Sequence, residues 1–250
     1  MRTRGLVIAL PVILTILIAV VVGALVLVQD QRQADQVAEA DQVAQTYLRE
    51  VARFRSTVVD RVNESDEADP GALSRIVRRA IAKPPQLGSA TSYGREHSAA
   101  YAEAVQVRDT VLQPYRRLTS TLRRADRALE FIKAARKVLE LRATDYVGSS
   151  LITSSAPVRG SLIPAFVKAR DEFARVPVPK GEEELAAKVQ EAAQHVIDQA
   201  TVLADRIESR QSFSFTYQEQ FQAAADALND YGTVVKGDVS EAVAAVTAEP

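Results

Sequence analysis

The stretch "DQVAEADQVAQTYLREVARFRSTVV" (35–59) decides the fold. Within and beside it Val37, Ala40, Ala44, Tyr47, Val51, Phe54 and Val58 recur at alternating steps of three and four. That spacing lines one side of a helix with small and medium apolar groups, a heptad seam. No proline or glycine interrupts the stretch.

Upstream, nothing breaks the helix before "LVIALPVILTILIAVVVGALVLV" (6–28), 23 residues without a charge. At about 1.5 Å per residue such a helix reaches about 34 Å, and a bilayer's hydrocarbon core is about 30 Å thick. A cleaved signal has a shorter apolar core, roughly 7–15 residues. Cutting after Val22-Gly23-Ala24 would also leave Leu25 to Val28 as an apolar terminus. The stretch therefore reads as a retained anchor, in contact with the lipid bilayer through 6–28. Arg2 and Arg4 precede it, while Asp30 and Arg32 follow it and cancel. The positive-inside rule then makes 1–5 a short cytoplasmic tail and 29–250 an extracytoplasmic domain. Arginine outnumbers lysine 24 to 7, a bias of high-GC bacterial genomes, so the expected address is a bacterial cell membrane.

Downstream, "NESDEADPG" (63–71) ends the first helix. A short basic helix over 71–83 stops at Pro84-Pro85. Val111, Tyr115, Leu118, Leu122, Ala125, Leu129 and Ile132 form a second seam in a helix over 95–146. Pro114 lies inside it and either kinks or breaks the helix. A short helix over 158–175 follows a serine-rich connection. Glu182 to Glu184 then open a helix over 182–247, seamed by Leu185, Val189, Ala192, Val196, Ala200, Leu203 and Ile207, and later by Tyr217, Phe221, Ala224 and Leu228. "SRQSFSFTYQEQF" (209–221) either carries this helix through or interrupts it. No strand pattern occurs. The fold class is all-α: an N-terminal transmembrane helix continuing into an elongated antiparallel helical bundle or coiled-coil ectodomain. The layout resembles, in outline, the extracytoplasmic helical bundles of bacterial sensors and chemoreceptors, without a motif that carries membership.

The chain has no cysteine, which excludes disulfides and thiolate chemistry. His97 and His195 lack partners at metal-ligand spacing, and no phosphate loop, dinucleotide fingerprint or nucleophile elbow appears. No catalytic residue, metal site or cofactor is expected, and the protein reads as a non-enzyme. Residues 108–142 carry ten basic side chains against four acidic, and 182–249 carry four against thirteen. Either the two helices neutralise one another in register, or Arg116, Arg117, Arg123, Arg124 and Arg127 form an anion-binding face. Phe213, Phe215, Tyr217 and Phe221 fill the core or form a partner-docking patch. For an extracytoplasmic domain with no interleaving of aromatic and basic groups, no nucleic-acid partner is expected. The expected role is an envelope scaffold or accessory subunit that binds a protein partner or itself. The alternative is a ligand-binding, sensor-like ectodomain for a small molecule, lipid headgroup or anionic envelope polymer.

Overall fold

The computed structural model describes residues 6–65, 69–148 and 152–248, with side chains from 29 onward. It is all-helical, 79% helix, and has no strand among the described residues. Among the residues whose side chains are described, no helix is long and apolar enough to cross a membrane. The expected anchor, 6–28, lies outside them, although its backbone belongs to the first helix.

Among the described residues nine α-helices follow in order: α1 (Leu6–Asn63), α2 (Pro70–Ile81), α3 (Ser92–His97), α4 (Ala99–Thr110), α5 (Gln113–Leu139), α6 (Thr144–Val147), α7 (Ile163–Phe173), α8 (Glu183–Glu208) and α9 (Gln218–Thr247). One π-turn, Val158–Leu162, leads into α7. The chain forms two compact units, Met1–Arg61 with Arg79–Tyr115, and Val62–Arg78 with Arg116–Glu249.

In the first unit α1 buries Ala40, Ala44, Tyr47 and Val51 against Tyr101, Ala104 and Val111. Gly94 sits over Gln36 and Ala40, Ser98 bonds to Asp41, and Phe54 meets the ring of Tyr115 edge-on at 5.7 Å. Numbers rise together along both partners, so α3 and α4 run parallel to α1, where the sequence suggested antiparallel neighbours. A parallel pair needs a long return, and Pro84-Pro85 keeps 83–91 free of helix for it. Thr91 caps α3 through Gly94 N–H, and Ser98 caps α4 through Tyr101 N–H.

The long helix expected over 95–146 is divided. Pro114 has no N–H to give Thr110, and its ring crowds that carbonyl, so α4 stops at Thr110 and α5 starts afresh with Pro114 in its first turn.

The second unit contains an up-down-up-down bundle of α5, α7, α8 and α9. Phe131 of α5 touches both Phe173 of α7 and Tyr231 of α9, at 5.4 and 6.3 Å. Near the far end of α5, Ala143 N–H donates to the Tyr217 hydroxyl at 3.2 Å, which sets α9 antiparallel to α5. Arg159 pairs with Asp205 and Glu208 while Arg170 bonds Gln194, so α7 and its π-turn run antiparallel to α8. The core holds Phe131, Val138, Leu162, Phe166, Val189, Val196 and Leu228. The second seam departs from its expected course at Leu129, which is 40% exposed, while Ala128 and Phe131 are buried. An ideal helix drifts about 20° per heptad against a 3.5-residue repeat. Here the drift brings the larger ring of Phe131 inward.

The helix expected over 182–247 is likewise two helices. Gln211 N–H bonds Arg206 C=O and Arg210 N–H bonds Ile207 C=O, with Arg210 at φ 55°. This is the left-handed stop of a Schellman motif, made here without glycine.

Candidate functional site

Regular helix geometry places the five arginines of α5 in two adjacent rows. Arg116, Arg123 and Arg127 follow the i, i+7, i+11 line, and Arg117 and Arg124 the line beside it. The rows cover about 16 Å at 1.5 Å per residue. Every one of the five is exposed, because the opposite side of the helix carries Leu118, Leu122 and Ala125 into the core. Among the described residues none of the five makes an ion pair, and only Arg124 has a hydrogen-bond partner, the Thr121 hydroxyl at 3.2 Å. The neutralisation expected from the acidic 182–249 segment is thus not made at these positions. Among the described residues, the ion pairs of that segment go to Arg159 of the π-turn instead.

The four aromatics are arranged differently. Phe221 is buried, and Phe213, Phe215 and Tyr217 are half-buried against the same core. Phe215, Tyr217, Phe221 and Phe166 form a chain of ring contacts at 5.2, 5.3 and 6.0 Å. The Tyr217–Phe221 and Phe221–Phe166 pairs are edge-to-face, an arrangement that adds about 0.5–1.5 kcal/mol beyond its area. These rings pack against one end of the bundle core, with Phe213, Phe215 and Tyr217 still partly open to solvent.

Neither histidine joins a cluster. His97 Nδ1 lies 2.9 Å from Tyr93 O and its ring stacks on Tyr93, and His195 Nε2 lies 3.3 Å from Thr216 O. Among the described residues no group of histidines and carboxylates could hold a metal ion.

No family model matches this chain, and no characterised protein or solved structure matches it.

Two features of the structure have no signature in the sequence pattern. The Tyr47 hydroxyl is buried without a hydrogen-bond partner among the described residues, and burial pushes its phenol above the ordinary value. The other is a groove of ≈ 830 Å³ between α5 and α9. Leu129 lines it, and the seam pattern had placed that residue in the core. The available signal was Phe131 two positions on, a larger group competing for the same interior.

Proposed function

We propose that the protein is a single-pass bacterial membrane protein, anchored through 6–28, whose extracytoplasmic helices hold another protein as an envelope scaffold or accessory subunit. The supporting observation is the paired arginine rows of α5, exposed and without ion pairs in a domain that carries abundant carboxylates elsewhere. A folded domain leaves such a row unneutralised at a cost in self-repulsion. An acidic surface on a partner removes that cost, speeds encounter and fixes register. The uncharged helical stretch 6–28, continuous with the seam of α1, supports the anchor. The role is non-enzymatic, with no cofactor.

The test is crosslinking of the full-length protein in its native membrane, followed by mass spectrometry. One dominant partner should be recovered with the natural protein. It should be lost when Arg116, Arg123 and Arg127 are changed to Glu, with helical content unchanged. Recovery of the protein alone, or equal recovery with the variant, would overturn the reading.

A further inference from the structure

The groove between α5 and α9 has a chemistry of its own. Its floor is apolar, made by Leu129 and Ile132 of α5 and Val235 and Val239 of α9. Two cations, Arg136 and Lys236, line it, and among the described residues no aspartate or glutamate does. The volume of ≈ 830 Å³ falls within the range of small-molecule sites, about 300–1,000 Å³.

Two details show why the space is open. Gly232 faces Ile132, and a β-carbon placed there would stand 3.9 Å from Ile132 Cδ1, ordinary contact distance. A side chain is tolerated at this point, and the sequence leaves it out. Leu129 beside it keeps 40% of its surface exposed, one of a few large apolar groups that do so. Covering this remaining apolar surface is favourable, so an apolar occupant gains where the bundle itself does not.

The cations are placed to hold one charge. Helical side chains lean toward the N-terminus of their own helix. Because α5 and α9 are antiparallel, Arg136 and Lys236 lean toward each other from opposite ends of the groove. Their directions converge over Ile132 and Gly232, and Gly232 contributes no side chain there. Asn229, Thr233 and Ser240 add hydrogen-bonding groups along the α9 wall.

We propose that this groove binds an amphiphilic monoanion, an alkyl chain ending in a carboxylate. The chain lies on Leu129, Ile132, Val235 and Val239, and the carboxylate is held between Arg136 and Lys236. The site is separate from the arginine rows at 116–127, so it stands or falls independently of the protein partner.

The experiment is calorimetric titration of decanoate into the full-length protein in phosphatidylcholine nanodiscs, with empty discs subtracted. Saturable binding at one site is expected. Decan-1-ol, which keeps the chain and lacks the charge, should bind at least ten-fold more weakly. Arg136→Gln with Lys236→Gln should weaken decanoate by at least ten-fold. Gly232→Leu should abolish binding while leaving the melting temperature unchanged or higher, because leucine is the better helix former. No saturable heat beyond empty discs would overturn the proposal. So would equal binding of decan-1-ol, or unchanged binding by both the double variant and Gly232→Leu.

Discussion

The Ser98 hydroxyl donates to the Asp41 carboxylate at 2.5 Å, across 57 positions of sequence, while it accepts the N–H of Tyr101 at 2.9 Å. One buried oxygen therefore caps α4 and ties that helix to α1. Losing an N-cap costs about 0.5–2 kcal/mol, and a hydrogen bond to a charged group contributes about 1.5–3. Ser98→Ala should lower stability by about 2–4 kcal/mol in chemical unfolding of the full-length protein. Ser98→Thr, which keeps the oxygen, should cost much less. Equal losses for both would mean that the bond contributes little.

Gly94 marks the closest approach in the first unit. A β-carbon there would overlap the Gln36 carbonyl oxygen and press on Ala40 Cβ at 3.0 Å. The obstructing atom is helix backbone and cannot rotate away. Gly94→Ala should therefore destabilise by about 2 kcal/mol or more, the upper part of the range for overpacking, even though alanine favours helix. A neutral or stabilising effect in thermal unfolding would show that α3 can lift off α1 freely.

Much of this arrangement was legible beforehand, and particular residues show where it ceased to be. The seam through Ala40, Ala44, Tyr47 and Val51 is buried where its spacing placed it, because a single helical period carries the whole signal. Direction was not legible: amphipathic spacing is the same for parallel and antiparallel neighbours. Neither Gly94 nor Ser98 belongs to an apolar seam, so periodicity carries no sign of their contacts with α1. The candidate arginines were exposed as a row, since charge is rarely buried unpaired. Their lack of acidic partners required three-dimensional placement of the 182–249 carboxylates. The groove was hidden because Leu129 and Phe131 both fit a seam, and only packing against Phe173 and Tyr231 chose between them.

Tyr47 carries a polar atom that does nothing for the fold. Its ring is 2% exposed and its hydroxyl has no partner among the described residues. A buried hydroxyl left unpaired costs about 1–3 kcal/mol. Tyr47→Phe keeps the ring and removes that cost, so stability should rise by about 1 kcal/mol or stay level. A loss above about 1 kcal/mol in the same unfolding assay would show that the hydroxyl is satisfied in solution.

At Arg210 the stop of α8 uses a residue with φ 55°. The left-handed conformation costs a residue with a β-carbon about 1–2 kcal/mol, which glycine avoids. Glycine also gains freedom in the unfolded chain, which offsets part of this. Arg210→Gly should stabilise by about 0.5–1 kcal/mol, read as a higher melting temperature. Arg210→Ala, which lacks the gain, should not. If both behave alike, the conformation at this stop is not the source of the effect.

The ion pairs at the π-turn give the second unit an acid-sensitive fastening. Hydrogen bonds from the Arg159 guanidinium, then from the Ser155 hydroxyl, hold the Glu208 carboxyl below its ordinary value of 4.5. A carboxyl whose folded value is depressed stabilises the fold at pH above the unfolded value, and that contribution disappears as pH falls through the folded value. Hydrogen exchange of Val158–Leu162 and the start of α7 should therefore accelerate as pH drops below about 4.5, after correction for intrinsic exchange rates. Arg159→Gln should show the faster exchange already at neutral pH and should flatten the acid response of this segment. Glu208→Gln should do the same on its own. The pair is exposed, so salt should weaken the effect in the natural protein and leave both variants unchanged. An acid response of equal size in Arg159→Gln would place its origin in other carboxylates of α8 and remove the π-turn pair from the account.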